Sequence, residues 1–96
     1  MSRYYSVQVE CIGNITGKKL SNIMVKEFGW KYEATNWTRD KVIGFFGEGS
    51  LCGGQSEEEA HEELVAHLRT IDPKIKVETT WTYLENLPTN TYGGLE

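Results

Sequence analysis

Residues 4–28, YYSVQVECIGNITGKKLSNIMVKEF, change their period halfway along. Tyr5, Val7, Val9 and Cys11 alternate with Tyr4, Ser6, Gln8 and Glu10, the two-residue repeat of a strand with one buried and one polar face. After the punctuation Gly13-Asn14-Ile15-Thr16-Gly17, apolar Leu20, Ile23, Met24 and Phe28 recur at helical spacing, and Gly29 offers a left-handed C-terminal cap. A strand feeding a helix over roughly 17–28 is the first half of a crossover unit.

The rest of the chain repeats that order around a hairpin. Trp30 to Trp37 is aromatic-rich and alternating, Thr38-Arg39-Asp40-Lys41 is a polar turn, and Val42-Ile43-Gly44-Phe45-Phe46 resumes with strong strand formers. Gly47 to Gly54 holds four glycines and is predicted to be a mobile loop unless something packs on it. Ser56 and Glu59 form a capping box, Glu57 and Glu58 suit the first turn of a helix, and Ala60, Leu64, Leu68 and Ile71 make one apolar stripe that ends at Asp72-Pro73. Ile75, Val77, Thr79, Trp81 and Tyr83 alternate with Lys76, Glu78, Thr80 and Thr82, giving a last strand before Pro88.

Two right-handed crossovers interleaved through a central hairpin predict an α+β, ferredoxin-like βαββαβ fold: a four-stranded antiparallel sheet in order 4-1-3-2 with both helices on one face. Residues 1–86 form this single domain, and 87–96 a tail that is partly ordered or, at Leu95-Glu96, of the kind an expression vector leaves. Strands two and four are the predicted edges. The topology sets Cys11 and Cys52 at opposite ends of the sheet, too far apart for a disulfide.

The 96 residues, 39% hydrophobic and 25% charged, suffice for one two-layer core without metal or disulfide staples. Fourteen acidic against ten basic residues leave a net charge of −4, which argues against a nucleic-acid surface and for a basic or neutral partner. No apolar run approaches the roughly 20 residues of a membrane span, no charged-then-apolar leader is present, and two unpaired thiols fit a reducing compartment, so the expected location is the cytoplasm. Asn14-Ile15-Thr16 and Asn36-Trp37-Thr38 match the glycosylation acceptor pattern by chance in such a context.

Candidate chemistry is sparse. His61 and His67 are six residues apart, on different helix faces, and Val65 stands where a zincin motif needs histidine; Glu63 and His67 share a face but read as a solvated surface. Neither a metal nor another cofactor is expected. Cys52 precedes a helix whose three first-turn glutamates oppose a thiolate, and Ser50 lacks a nucleophile elbow, so no catalytic residue is assigned.

The loop Gly13 to Lys19 has the strongest local character, because helix-start N–H groups with Gly13, Gly17, Lys18 and Lys19 favour an anion. It is not a nucleotide-binding P-loop: three residues rather than four separate Gly13 and Gly17, and Lys19 replaces the metal-binding hydroxyl. With its element order, Gly13, Ile15 and Gly17, and Gly29-Trp30 at the start of strand two, the chain loosely resembles the acylphosphatase family. That resemblance implies a phosphate-binding loop and casts Asn36 as the water-orienting asparagine. The family's phosphate-gripping arginine is missing, with Lys18, Lys19 and Ser21 in its region, and a lysine point charge does not replace a bidentate guanidinium.

By parity, the face away from the helices carries Ser6, Gln8, Glu10, Glu78, Thr80 and Thr82, without the central aromatics and basic residues of RNA-binding domains. Val42 and Phe46 break its polarity. The tail, through Leu87 and Tyr92, is the expected cover; the alternative is a protein partner or a second copy docking on Val42, Phe46 and Trp37. The sequence therefore points first to a non-enzymatic protein-interaction module using the open face or a sheet edge, and second to an acylphosphatase-like hydrolase or anion-binding protein.

Overall fold

The computed structural model describes residues 3–51, 55–84 and 88–95. Cys52 and Leu87 lie outside the described residues. Strands β1 (Arg3–Ile12), β2 (Tyr32–Arg39), β3 (Val42–Leu51), β4 (Lys76–Tyr83) and β5 (Thr89–Gly93) form one antiparallel sheet in the order β2-β3-β1-β4-β5. Helices α1 (Gly17–Asn22) and α2 (Glu57–Arg69) complete a small α+β architecture.

The four-stranded expectation is thereby corrected in count and order. Residues 89–93 of the tail do not fold across the open face; they pair with β4, Thr79 opposite Tyr92 and Thr82 opposite Thr89, so β5 rather than β4 is an edge. Threonine hydroxyls line this added pair, Thr80 with Thr91 and Thr82 with Thr89, each at 3.2 Å. Tyr92 turns toward α2, where its hydroxyl donates to Glu57 at 3.3 Å and its ring tilts against His61. A polar threonine-rich strand is a weak strand signal from sequence, but one that already has a ladder to join needs little more.

The core lies between the sheet and the helices. Tyr5, Val7, Val9 and Cys11 of β1, Val77 and Trp81 of β4, Phe45 of β3, and Leu64 and Leu68 of α2 are buried there. Thr79 is the polar exception: its Oγ1 accepts from Trp81 Nε1 at 2.8 Å and lies 2.8 Å from His61 Nδ1. Among the described residues no buried side-chain polar atom lacks a hydrogen-bond partner.

The predicted helix over 17–28 is shorter in its α-helical part: α1 stops at Asn22 and continues as a π-helical segment, Ile23–Glu27. Gly29 at φ +76° turns the chain out of it, and Trp30 N–H closes the end on the Met24 carbonyl at 3.0 Å. That bond reaches one residue further back than the usual closing bond after a glycine cap, as the wider π turn requires. The exit drops Trp30 into the core, edge-on to Trp81 at 5.2 Å, a geometry worth about 0.5–1.5 kcal/mol beyond burial.

Trp30 also explains why the predicted mobile loop is largely strand. β3 runs through Gly47 and Gly49 to Leu51, and a Cβ at Gly47 would lie 2.5 Å from the Trp30 carbonyl oxygen, one at Gly49 2.8 Å from its indole. These glycines admit the tryptophan, whose packing orders the strand. Residues 52–54 of the expected loop lie outside the described residues.

The remaining elements follow local chemistry. Ser56 and Glu59 make the expected reciprocal capping box, at 3.1 and 3.2 Å. The hairpin turn is confined to Asp40-Lys41, with Asp40 left-handed at φ 56°, so Thr38 and Arg39 belong to β2. No helix among the described residues is long and apolar enough to cross a membrane.

Candidate interaction surface

On the face away from the helices, β2 and β3 pair Trp37 with Gly44, Thr35 with Phe46 and Arg39 with Val42. Trp37, Val42 and Phe46, three residues the sequence singles out, are thus neighbours, all half-buried. The indole of Trp37 lies over Gly44, where any Cβ would run into its ring. The aromatic covers backbone that glycine leaves bare, which holds the ring flat on the sheet with its outer side to solvent.

Two further aromatics extend this strip. Tyr32 is 54% exposed and Tyr4 40% exposed, with ring centroids 6.4 Å apart. Tyr4 belongs to the open-face parity of β1, so its position was readable in the sequence. Tyr32 was not, because β2 bulges between Tyr32 and Thr35, with Glu33 at φ 52°, and the bulge resets which side chains share a face. Lys31 Nζ sits 5.8 Å from the Tyr32 ring centroid.

The strip is acidic at its margin. Partial desolvation, then Glu48, Tyr32 and Glu33, hold the Tyr4 phenol above its ordinary pKa. Further along the face, Glu10 and Glu78 stand opposite each other on β1 and β4.

In the Gly13–Lys19 loop, side chains of the protein meet the backbone N–H groups of Asn14 and Lys19. Asp72 Oδ2 accepts from Asn14 N–H at 2.8 Å while its Oδ1 accepts from Lys74 N–H at 3.1 Å, and these two backbone bonds pull its carboxyl below the usual range. Thr16 Oγ1 caps Lys19 N–H at 3.1 Å. Gly13 packs so closely that a Cβ there would lie 2.6 Å from Ile75 Cγ1 and 2.8 Å from Asp72 Oδ2. Lys18 and Lys19 are exposed. Asn36 is brought to this loop, its Nδ2 3.2 Å from where a Gly17 Cβ would stand.

The other candidates are dispersed. His61 reaches Thr79, and burial, ahead of the opposing influence of Glu62 and Glu58, lowers its pKa. His67 packs edge-on against Phe28, and Glu63 accepts from Gln55 at 3.0 Å, so Glu63 and His67 have separate partners. Cys11 is buried, its thiol pushed up to about 11.

Comparison with protein-family models, curated proteins and solved structures finds no match to this chain.

Proposed function

We propose that the protein is a non-enzymatic protein-interaction module that engages its partner through the β2 edge and the aromatic strip beside it. One observation carries this reading: residues 89–93 join the far edge as β5, and toward the β2 end Tyr4 and Tyr32 stay exposed beside half-buried Trp37 and Phe46. An exposed edge next to flat aromatics suits strand addition, with main-chain hydrogen bonds for affinity and ring contacts for specificity. We read β1 to β4 with the two helices as a ferredoxin-like unit with an appended strand, place it in the cytoplasm, and give it a basic or neutral partner in keeping with its charge.

A photoreactive phenylalanine analogue at exposed Thr35 tests this in cells that express the protein, with the same group at exposed Glu62 on α2 as control. Adducts of defined mass from position 35 alone support the reading. Equal labelling from both positions, or none from 35, removes it.

One observation favours the anion-binding alternative, the approach of Asn36 to Gly17. Asp72 opposes it, since a carboxylate already bound to the loop repels a second anion. An NMR titration with phosphate and acetyl phosphate decides: saturable shifts confined to residues 13–19 that vanish in the Lys18→Ala, Lys19→Ala variant favour it, and their absence discards it.

A further inference from the structure

We infer that the partner at the β2 edge is a second copy of this chain, paired antiparallel about a two-fold axis at Asn36, an assignment that rests on the interaction reading above. The regular part of β2 is short and bounded on both sides, by the bulge between Tyr32 and Thr35, where Glu33 is left-handed, and by the turn that starts at left-handed Asp40. Its central residues Thr35, Asn36, Trp37 and Thr38 are uncharged, as is Ala34 in the bulge. Charges and bulges are the devices that keep edge strands from pairing, and here they frame an unprotected centre.

The frame is also self-complementary. Antiparallel pairing about Asn36 brings the Glu33 end of each copy's segment alongside the Arg39 end of the other, so opposite charges approach twice. On the open face the same register places Thr35 of one copy beside Trp37 of the other, a favourable β-branched and aromatic cross-strand pair. On the helix side the two Asn36 side chains flank the axis. Lys31 and Lys41 fall outside the paired segment. The charged residues from 31 to 41 nearly cancel, Lys31, Arg39 and Lys41 against Glu33 and Asp40, so the edge escapes most of the repulsion that the overall charge of −4 imposes elsewhere. The other edge, β5, offers Thr89, Asn90 and Thr91 without an apolar ring on its open face.

The test is sedimentation of the whole chain from low micromolar to millimolar concentration, alongside Glu33→Lys, Arg39→Glu and the double variant. Both positions are exposed, so the fold is expected to persist, checked by far-UV circular dichroism. The expected result is a monomer–dimer equilibrium that each single swap weakens by about tenfold, from two reversed charge contacts, and that the double swap restores. Amides of residues 34–38 should exchange more slowly at high concentration. A dimer indifferent to the single swaps overturns this register. A monomer throughout, with adducts from position 35 to a different protein, overturns self-pairing and leaves the interaction reading standing; a monomer with no adduct removes both.

Discussion

Trp37 lies across Gly44, indole on backbone, and this contact makes the open face of β3 a platform rather than a gap. It couples the packing of the sheet to the surface proposed for recognition, because the ring that shields Gly44 on one side faces solvent on the other.

Gly44→Ala therefore expels the indole. The expected cost is about 1–3 kcal/mol, the usual range for overpacking a tight site. Gly94→Ala, with open space around the added methyl, is the near-neutral control. Urea unfolding measures both, and tryptophan emission of the folded Gly44→Ala protein should shift to the red as Trp37 moves into water.

Thr79→Val tests the polar link inside the core. The isosteric change strips the acceptor from Trp81 Nε1 and the partner from His61 Nδ1 while keeping the volume. Leaving a buried indole N–H unpaired should cost about 1–3 kcal/mol. With Trp81→Phe as second mutation, a double-mutant cycle should show that much of the loss is shared; additive losses would mean the hydroxyl acts elsewhere.

Stability should fall with acid in two separate steps. Burial lowers the His61 pKa in the folded state, so the unfolded chain binds the proton more readily; the stabilisation is complete above the ordinary imidazole value, about 6.5, and is lost as pH falls through the lower folded value. Asp72 is lowered by the Asn14 and Lys74 N–H groups, so its contribution is present above the ordinary carboxyl value, about 3.9, and is lost only as pH falls through a still lower one. Unfolding midpoints followed against pH should lose the first step in His61→Gln and the second in Asp72→Asn.

Cys11 should resist alkylation in the folded protein. A thiol raised to about 11 from a reference of 9.0 holds roughly a hundredth of the ordinary thiolate at pH 8, before burial limits access. In a Cys52→Ser background, Cys11 should label only under unfolding conditions; fast labelling of the native protein would contradict its place beneath the helices.

Much of the element order was legible because it is written in short periods. The alternation from Tyr5 to Cys11, the stripe from Ala60 to Ile71 and the alternation from Ile75 to Tyr83 each state a face and an element from local spacing alone. Trp37, Val42 and Phe46 were legible as open-face or edge residues for the same reason. Gly47 and Gly49 misled, because flexibility is what glycine does when nothing covers it, and only the folded chain brings Trp30 over them.

By itself, then, the sequence determined which residues of β1, β3 and β4 alternate, where the two helices begin, which side of those elements is apolar, and that the chain is acidic. The tertiary structure decided what no local window contains. It added Thr89–Gly93 to β4, because a free ladder recruits a strand that its own threonines would not announce. It placed Asp72 in the Gly13–Lys19 loop from 58 residues beyond Asn14. It laid Trp37 on Gly44 and left the β2 edge as the aromatic margin of the sheet. Period is a property of neighbours along the chain, whereas coverage depends on which distant residues meet, and the surface offered to a partner is set by coverage.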